Sequence, residues 1–201
     1  FKHKIEYILL KENPKNIYEI KKDDKNDLGK TIDNANSREI FQRNAIEKGL
    51  KEINDNDWLI ISDVDEIPNL ENLNLNKIKN KIILFNQLFC CYKLNLFSKT
   101  MNWYGSRMIK KKDLKNPQWL RDIKSKKYSI FRLDILFSDK KYRDILFVNN
   151  GGWHFSYLKD AKGVEDKLKS IRHHVDYKLN PVGVEKLETM IKEKKLVYNY
   201  K

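Results

Sequence analysis

The apolar run Trp58-Leu59-Ile60-Ile61 passes through one serine into Asp63-Val64-Asp65-Glu66-Ile67-Pro68. A short continuous apolar run bounded by turn residues reads as a buried strand. This strand therefore ends in three carboxylates. Open α/β sheets bind ligands at the carboxyl ends of their strands. A cluster of like charges is costly unless a cation neutralises it. Two residues apart on an extended segment, Asp63 and Asp65 would project to one side, with Val64 on the other. An EF-hand loop is excluded, because that loop needs Gly at its sixth position and Pro68 stands there. A divalent cation held by only one or two carboxylates keeps open positions, and these suit a phosphate-bearing substrate. The competing reading is a capped strand end with solvated acids.

Other segments frame this one. Lys4 to Leu10 reads as a strand, and residues 21–36 read as a polar loop. Asn36 is positioned to cap a helix, with Glu39 three residues on. Ile40, Phe41, Ala45, Ile46, Leu50 and Ile53 would form its apolar stripe. Ile82 to Phe85, Leu88 to Phe97, Trp103 to Ile109, Tyr128 to Leu133 and Ile145 to Val148 read as strands. Pro117 is placed to start a short helix through Ile123. Asp160 to His173 reads as a helix. Asn180-Pro181 would cap and open the last one. Residues 69–81 give no clear signal. The order is mixed α/β, and no linker divides the 201 residues into separate domains.

Composition narrows the function. The chain carries 41 basic and 28 acidic residues, a net charge of +13. Such a charge suits nucleic acid, a membrane surface or an anionic substrate. Only seven of the 41 basic residues are Arg. Arg is the better reader of phosphates and base edges, so a Lys-rich solvated surface is favoured over nucleic-acid binding. A Lys-rich polyanion-binding module is the alternative from another functional class. The adjacent Cys90 and Cys91 form neither a disulfide framework nor a zinc pattern, which points to a reducing compartment. No stretch reaches the roughly 18 apolar residues of a membrane span.

Three further groups carry potential chemistry. Asn149-Asn150-Gly151-Gly152-Trp153-His154 pairs glycines, which admit close approach, with a flat indole and a titratable imidazole. Arg38, Gln42 and Arg43 share one side of the first helix. Arg107 and Arg121, with Trp119, could meet a diphosphate. His173-His174 read equally as a helix-end pair or as site residues.

Together, Arg38-Glu39, Gln42-Arg43-Asn44-Ala45-Ile46, Asp57 to Pro68, and Gly151-Gly152-Trp153-His154-Phe155-Ser156-Tyr157-Leu158 resemble glycosyltransferase family 17. The resemblance runs from about residue 4 to about residue 176. It implies a GT-A-type nucleotide-sugar-binding domain with a mixed central sheet. It implies an inverting transfer of a sugar, GlcNAc in the family's named activity, from UDP-GlcNAc to a glycan acceptor, the alternative on the same motifs being a protein that binds the nucleotide sugar without turnover. Asp63 and Asp65 would be the Asp-x-Asp pair holding Mn²⁺ or Mg²⁺, with Asp65 the direct ligand and Asp63 reaching the ribose or a metal-bound water. His154 would make a further metal or diphosphate contact. Arg38, Arg43, Arg107, Arg121, Gly152 and Trp153 would bind substrate. Glu66, Asp122 and Asp144 are the carboxylates from which the general base would come. A GT-A domain places more chain before its Asp-x-Asp than the 62 residues found here, so the resemblance implies that an N-terminal βα unit is missing. The expected location is cytoplasmic or the cytoplasmic membrane face for a bacterial or viral protein, with a Golgi-type anchor the other possibility.

Overall fold

Ile82–Cys91, a ten-residue strand, is the axis on which the sheet is assembled. Its sequence, Ile-Ile-Leu-Phe-Asn-Gln-Leu-Phe-Cys-Cys, is almost continuously apolar, as expected of a strand covered on both faces. The computed structural model describes residues 2–20, 27–71, 73–170, 177 and 179–197.

The strands in chain order are β1 (Trp58–Ile61), β2 (Glu66–Pro68), β3 (Ile82–Cys91), β4 (Trp103–Lys110), β5 (Ile145–Val148) and β6 (Gly152–Ser156). They form one mixed sheet in the order β1-β4-β3-β6-β2, with β5 also on β3. The fold is therefore mixed α/β. β4 runs antiparallel to both β1 and β3. The other edge of β3 is shared. β5 runs parallel to residues 82–85, and β6 runs parallel to residues 88–91. Between them Gly151 donates its N–H to the Asn86 carbonyl at 2.8 Å. A Cβ at Gly151 would fall within 3 Å of the Phe85 and Asn86 backbone, so only glycine lets the chain pass this close.

Ile83, Phe85 and Met108 form a core cluster against which Trp58, Ile60, Leu146 and Val148 pack. One short helix, α2 (Pro117–Asp122), belongs to this sheet unit. Asn116 caps it by accepting from the Trp119 N–H at 2.7 Å, and Pro117 opens it as the sequence predicts.

Residues 52–158 make up this compact unit, and the described residues before and after it make up a second. The second contains α1 (Asp27–Asn44), α3 (Ala161–Ser170) and α4 (Val184–Lys192). Buried Val164 and Leu168 of α3 and Leu187 of α4 supply its apolar contacts. Among the described residues no helix is long and apolar enough to cross a membrane.

Several local expectations change. α1 begins at Asp27, so Asn36 lies inside it rather than at its cap, and residues 45–50 tighten into a 3₁₀ turn. Asn34 is the buried amide. It accepts from the Tyr18 N–H at 2.7 Å and donates to the Tyr18 carbonyl at 2.8 Å, as a neighbouring strand would. Residues 5–10 form no strand: Ile5, Tyr7 and Leu9 alternate but stay exposed, with no ladder to pair with. The two apolar runs 82–85 and 88–97 are one strand that ends at Cys91, where Tyr92 takes a positive φ of 65°. Residues 128–133 also form no strand. Gly183, with φ 79°, rather than Asn180-Pro181, precedes the last helix. His173-His174 lie outside the described residues.

Candidate functional site

The acidic segment is a tight turn, not an extended strand end. The Glu66 N–H donates to the Asp63 carbonyl at 3.0 Å, closing a four-residue β-turn. Val64 sits at its apex, fully exposed, and the Asp63 and Asp65 side chains are 40% and 26% exposed. The sequence-level picture of two aspartates alternating with a valine on a strand is thereby replaced. The aspartates now flank the outer tip of a turn.

Glu66 is the buried foundation of that turn. Its side chain has no exposure. It accepts from the Asp63 N–H at 3.0 Å, from Trp103 Nε1 at 3.1 Å, and from both terminal nitrogens of Arg121 at 2.8 and 3.0 Å. Four donors fill a carboxylate. Arg121 also donates Nη2 to Asp63 at 2.7 Å and Nη1 to the Gly105 carbonyl. A Cβ at Gly105 would lie 2.2 Å from Glu66 Oε1, so the carboxylate rests where another residue's side chain would be. Glu66 is therefore part of the scaffold and cannot reach a substrate hydroxyl as a base.

Arg107, expected to meet substrate, is also structural. It is buried on β4, and its Nη1 donates to the carbonyls of Leu120 and Ile123 at 2.7 and 2.6 Å. These are orphan carbonyls at the end of α2. Arg107 thus fixes the helix end that carries Arg121.

His154 stands directly opposite Glu66 in the antiparallel pair β2–β6. The two motif segments of the sequence, 88 residues apart at this pair, are neighbours in space. The imidazole is buried, stacked on Trp103 at 4.3 Å and tilted against Phe89 at 5.1 Å. Its Nδ1 lies 3.7 Å from Asp65 Oδ1. Among the described residues no group of three His, Cys, Asp or Glu side chains is placed to hold a metal ion, so Asp63, Asp65 and His154 do not make a three-ligand cage. The two partly exposed aspartates do fit a hard cation of the Mg²⁺ or Mn²⁺ kind, which takes one or two carboxylates and leaves the rest to water and phosphate.

Asp144 is far from this turn. It precedes β5, at the amino end of the β3–β5 pair, and accepts from Asn80 Nδ2 at 2.7 Å and the Lys81 N–H at 3.1 Å. By register it is level with Trp58 at the start of β1, about five residues or ~17 Å along the sheet from Asp63. Asp122 follows Arg121 at the end of α2. Burial raises its pKa, but hydrogen bonds from Lys140 and Gln118, with the charges of Lys140 and Arg107, outweigh this and hold it below the ordinary carboxylate value. Arg38 and Arg43 belong to α1 in the other unit, where Arg43 pairs with Glu39 at 3.0 Å.

An internal polar chain leads from the acidic turn to a cleft. Ser62 donates to Ser106 Oγ at 2.6 Å, and Gln87 Nε2 donates to the same Ser106 Oγ at 3.0 Å and to the Trp153 carbonyl at 3.3 Å. The Ser106 N–H returns a bond to Gln87 Oε1 at 3.1 Å. Gln87 and Trp153 then line a cleft of about 510 Å³ with Asn69, Asn86, Asn102 and Asn150. Trp153 is 42% exposed, on the face of β6 opposite the buried His154. Gly152, with φ 114°, packs β6 against β2: a Cβ there would sit 2.0 Å from the Ile67 carbonyl. Its role is therefore close packing of the two strands.

Sequence reasoning missed Trp103, Gly105, Gln87 and the cleft amides Asn69, Asn86 and Asn102. A lone glycine within an apolar strand signals close approach of another group. Asn86-Gln87, interrupting an apolar run, signals a buried polar network. Comparison with protein-family models, with curated proteins and with solved structures returned no match.

Proposed function

We propose that the chain is an inverting glycosyltransferase that moves a sugar, GlcNAc, from UDP-GlcNAc to a glycan hydroxyl, on a GT-A-type sheet. One observation carries the reading. The acidic turn and the Gly-Trp-His segment, the two motifs of the family resemblance, pair as adjacent strands with Glu66 opposite His154.

Within this reading Asp65, assisted by Asp63, holds the divalent cation, which when bound neutralises charge on the departing diphosphate. Arg121 pins Asp63 through Nη2, so the direct contact falls to Asp65. The cleft supplies sugar recognition: Trp153 gives a flat apolar face, and the four asparagine amides give paired donors and acceptors for hydroxyls. Of the three carboxylates considered for the base, Glu66 is enclosed and Asp144 is remote. Asp122 is left: it is partly exposed at the end of α2, and Gln118 and Lys140, which donate to its two oxygens, keep it ionised and lower its basicity, so it would act as the base only once substrate displaces them.

The test is UDP release from a panel of UDP-sugars with Mn²⁺ and mannose-terminated oligosaccharides. The reading predicts release from UDP-GlcNAc that depends on the oligosaccharide. No release from any UDP-sugar would reject it.

A further inference from the structure

Residues 124–140 form a loop whose ends are tied together, the Lys124 N–H donating to the Lys140 carbonyl at 2.8 Å. Ile135 is its buried anchor. Around that anchor five large apolar side chains point to solvent: Ile130 (71% exposed), Phe131 (85%), Leu133 (69%), Leu136 (69%) and Phe137 (91%). Single exposed apolar residues are ordinary, but five within eight positions are a patch that needs a partner.

The loop is held in shape. Arg143 donates to the carbonyls of Ile130 and Arg132, both at 2.7 Å. Trp119 Nε1 donates to the Asp139 carbonyl at 2.7 Å. Asp134 is neutralised by Arg132 at 2.7 Å and Lys141 at 2.7 Å, which hold its carboxyl well below the usual range. Residues 124–143 carry seven basic side chains against two acidic ones. Lys124, Lys126 and Lys127 at one end, and Lys140 at the other, are exposed on the loop's flanks.

We propose that this loop docks the protein on an anionic lipid surface, with Phe131 and Phe137 entering the headgroup boundary and the flanking lysines meeting lipid phosphates. Charge complementarity selects this occupant. An apolar tip with a basic surround matches the interfacial mode of membrane binding, whereas a purely apolar face would suit a second protein. Each basic residue near an anionic surface is worth roughly five-fold in partitioning, and a single apolar anchor binds only reversibly. The loop combines both signals. The proposal does not depend on transferase activity.

The experiment is co-sedimentation of the whole chain with vesicles of phosphatidylcholine alone and of phosphatidylcholine with 30% phosphatidylglycerol, at two salt concentrations. The comparison variants are Phe131→Ser with Phe137→Ser, and Lys126→Glu with Lys127→Glu, each checked for an unchanged circular dichroism spectrum. The expected result is binding to the anionic vesicles that weakens with salt, and falls at least ~10-fold in the phenylalanine pair and in the lysine pair. Equal, weak binding to both vesicle types would overturn the proposal. So would salt-sensitive binding that ignores the phenylalanines, or a concentration-dependent dimer that the phenylalanine pair abolishes while vesicles are not bound.

Discussion

Arg121 grips Glu66 as a two-pronged fork, Nη1 on Oε2 at 2.8 Å and Nη2 on Oε1 at 3.0 Å, with the carboxylate fully enclosed. Such a pair has a large desolvation cost, and breaking it leaves one charge buried alone. It survives here because Trp103, the Asp63 N–H and the Gly105 carbonyl satisfy the remaining positions. The pair shapes the acidic turn from below.

Arg121→Met is therefore expected to destabilise the protein by about 3–5 kcal/mol, because Glu66 is left without its cation. Arg121→Met combined with Glu66→Gln should recover part of that loss. Denaturant midpoints for the two singles and the double measure the coupling. Additive losses would show that the pair contributes no mutual energy.

Gly105→Ala is expected to cost about 1–3 kcal/mol, since the new methyl falls on the Glu66 carboxylate. An alanine elsewhere on an exposed strand face would not. A melting temperature equal to that of the parent would contradict the geometry of the buried fork.

The Asp122–Lys140 pair gives a pH dependence whose sign is fixed. The folded carboxyl has a lowered pKa, so its contribution is present above the unfolded value and is lost as pH falls through the folded one. Both partners are partly exposed, so the contribution is small, below about 1 kcal/mol. Asp122→Asn should flatten the acid limb of stability between about pH 4 and lower values. An unchanged acid limb would mean that the pair is not formed in solution.

On the proposed transferase reading, Trp153→Ala is expected to raise KM for the UDP-sugar about ten-fold while the melting temperature changes little, because the indole lies half-exposed on the cleft. A loss of kcat at constant KM would place Trp153 elsewhere in the mechanism.

The parts legible in the sequence are those with local signals. The apolar runs gave β1, β4 and β5, and Pro117 gave α2 at its observed start. The acidic turn could be located, but its shape could not. That shape depends on Glu66 turning inward to an arginine 55 positions away, a long-range pairing that spacing does not reveal. Arg107 and Arg121 look alike in the sequence. One caps a helix end and the other meets the acids because β4 and α2 face each other in this particular packing. The alternation at residues 5–10 and the apolar run at 128–133 both imitate strands, and neither finds a ladder.

The central claim is that Asp65 carries the cation that sugar transfer needs. It is tested most directly by UDP-GlcNAc turnover against Mn²⁺ concentration for the parent and Asp65→Ala, with melting temperatures taken alongside. The account predicts Mn²⁺-dependent turnover in the parent, and a loss of at least about 100-fold in the variant with little change in stability. Turnover that ignores Mn²⁺, or that survives Asp65→Ala, would contradict it.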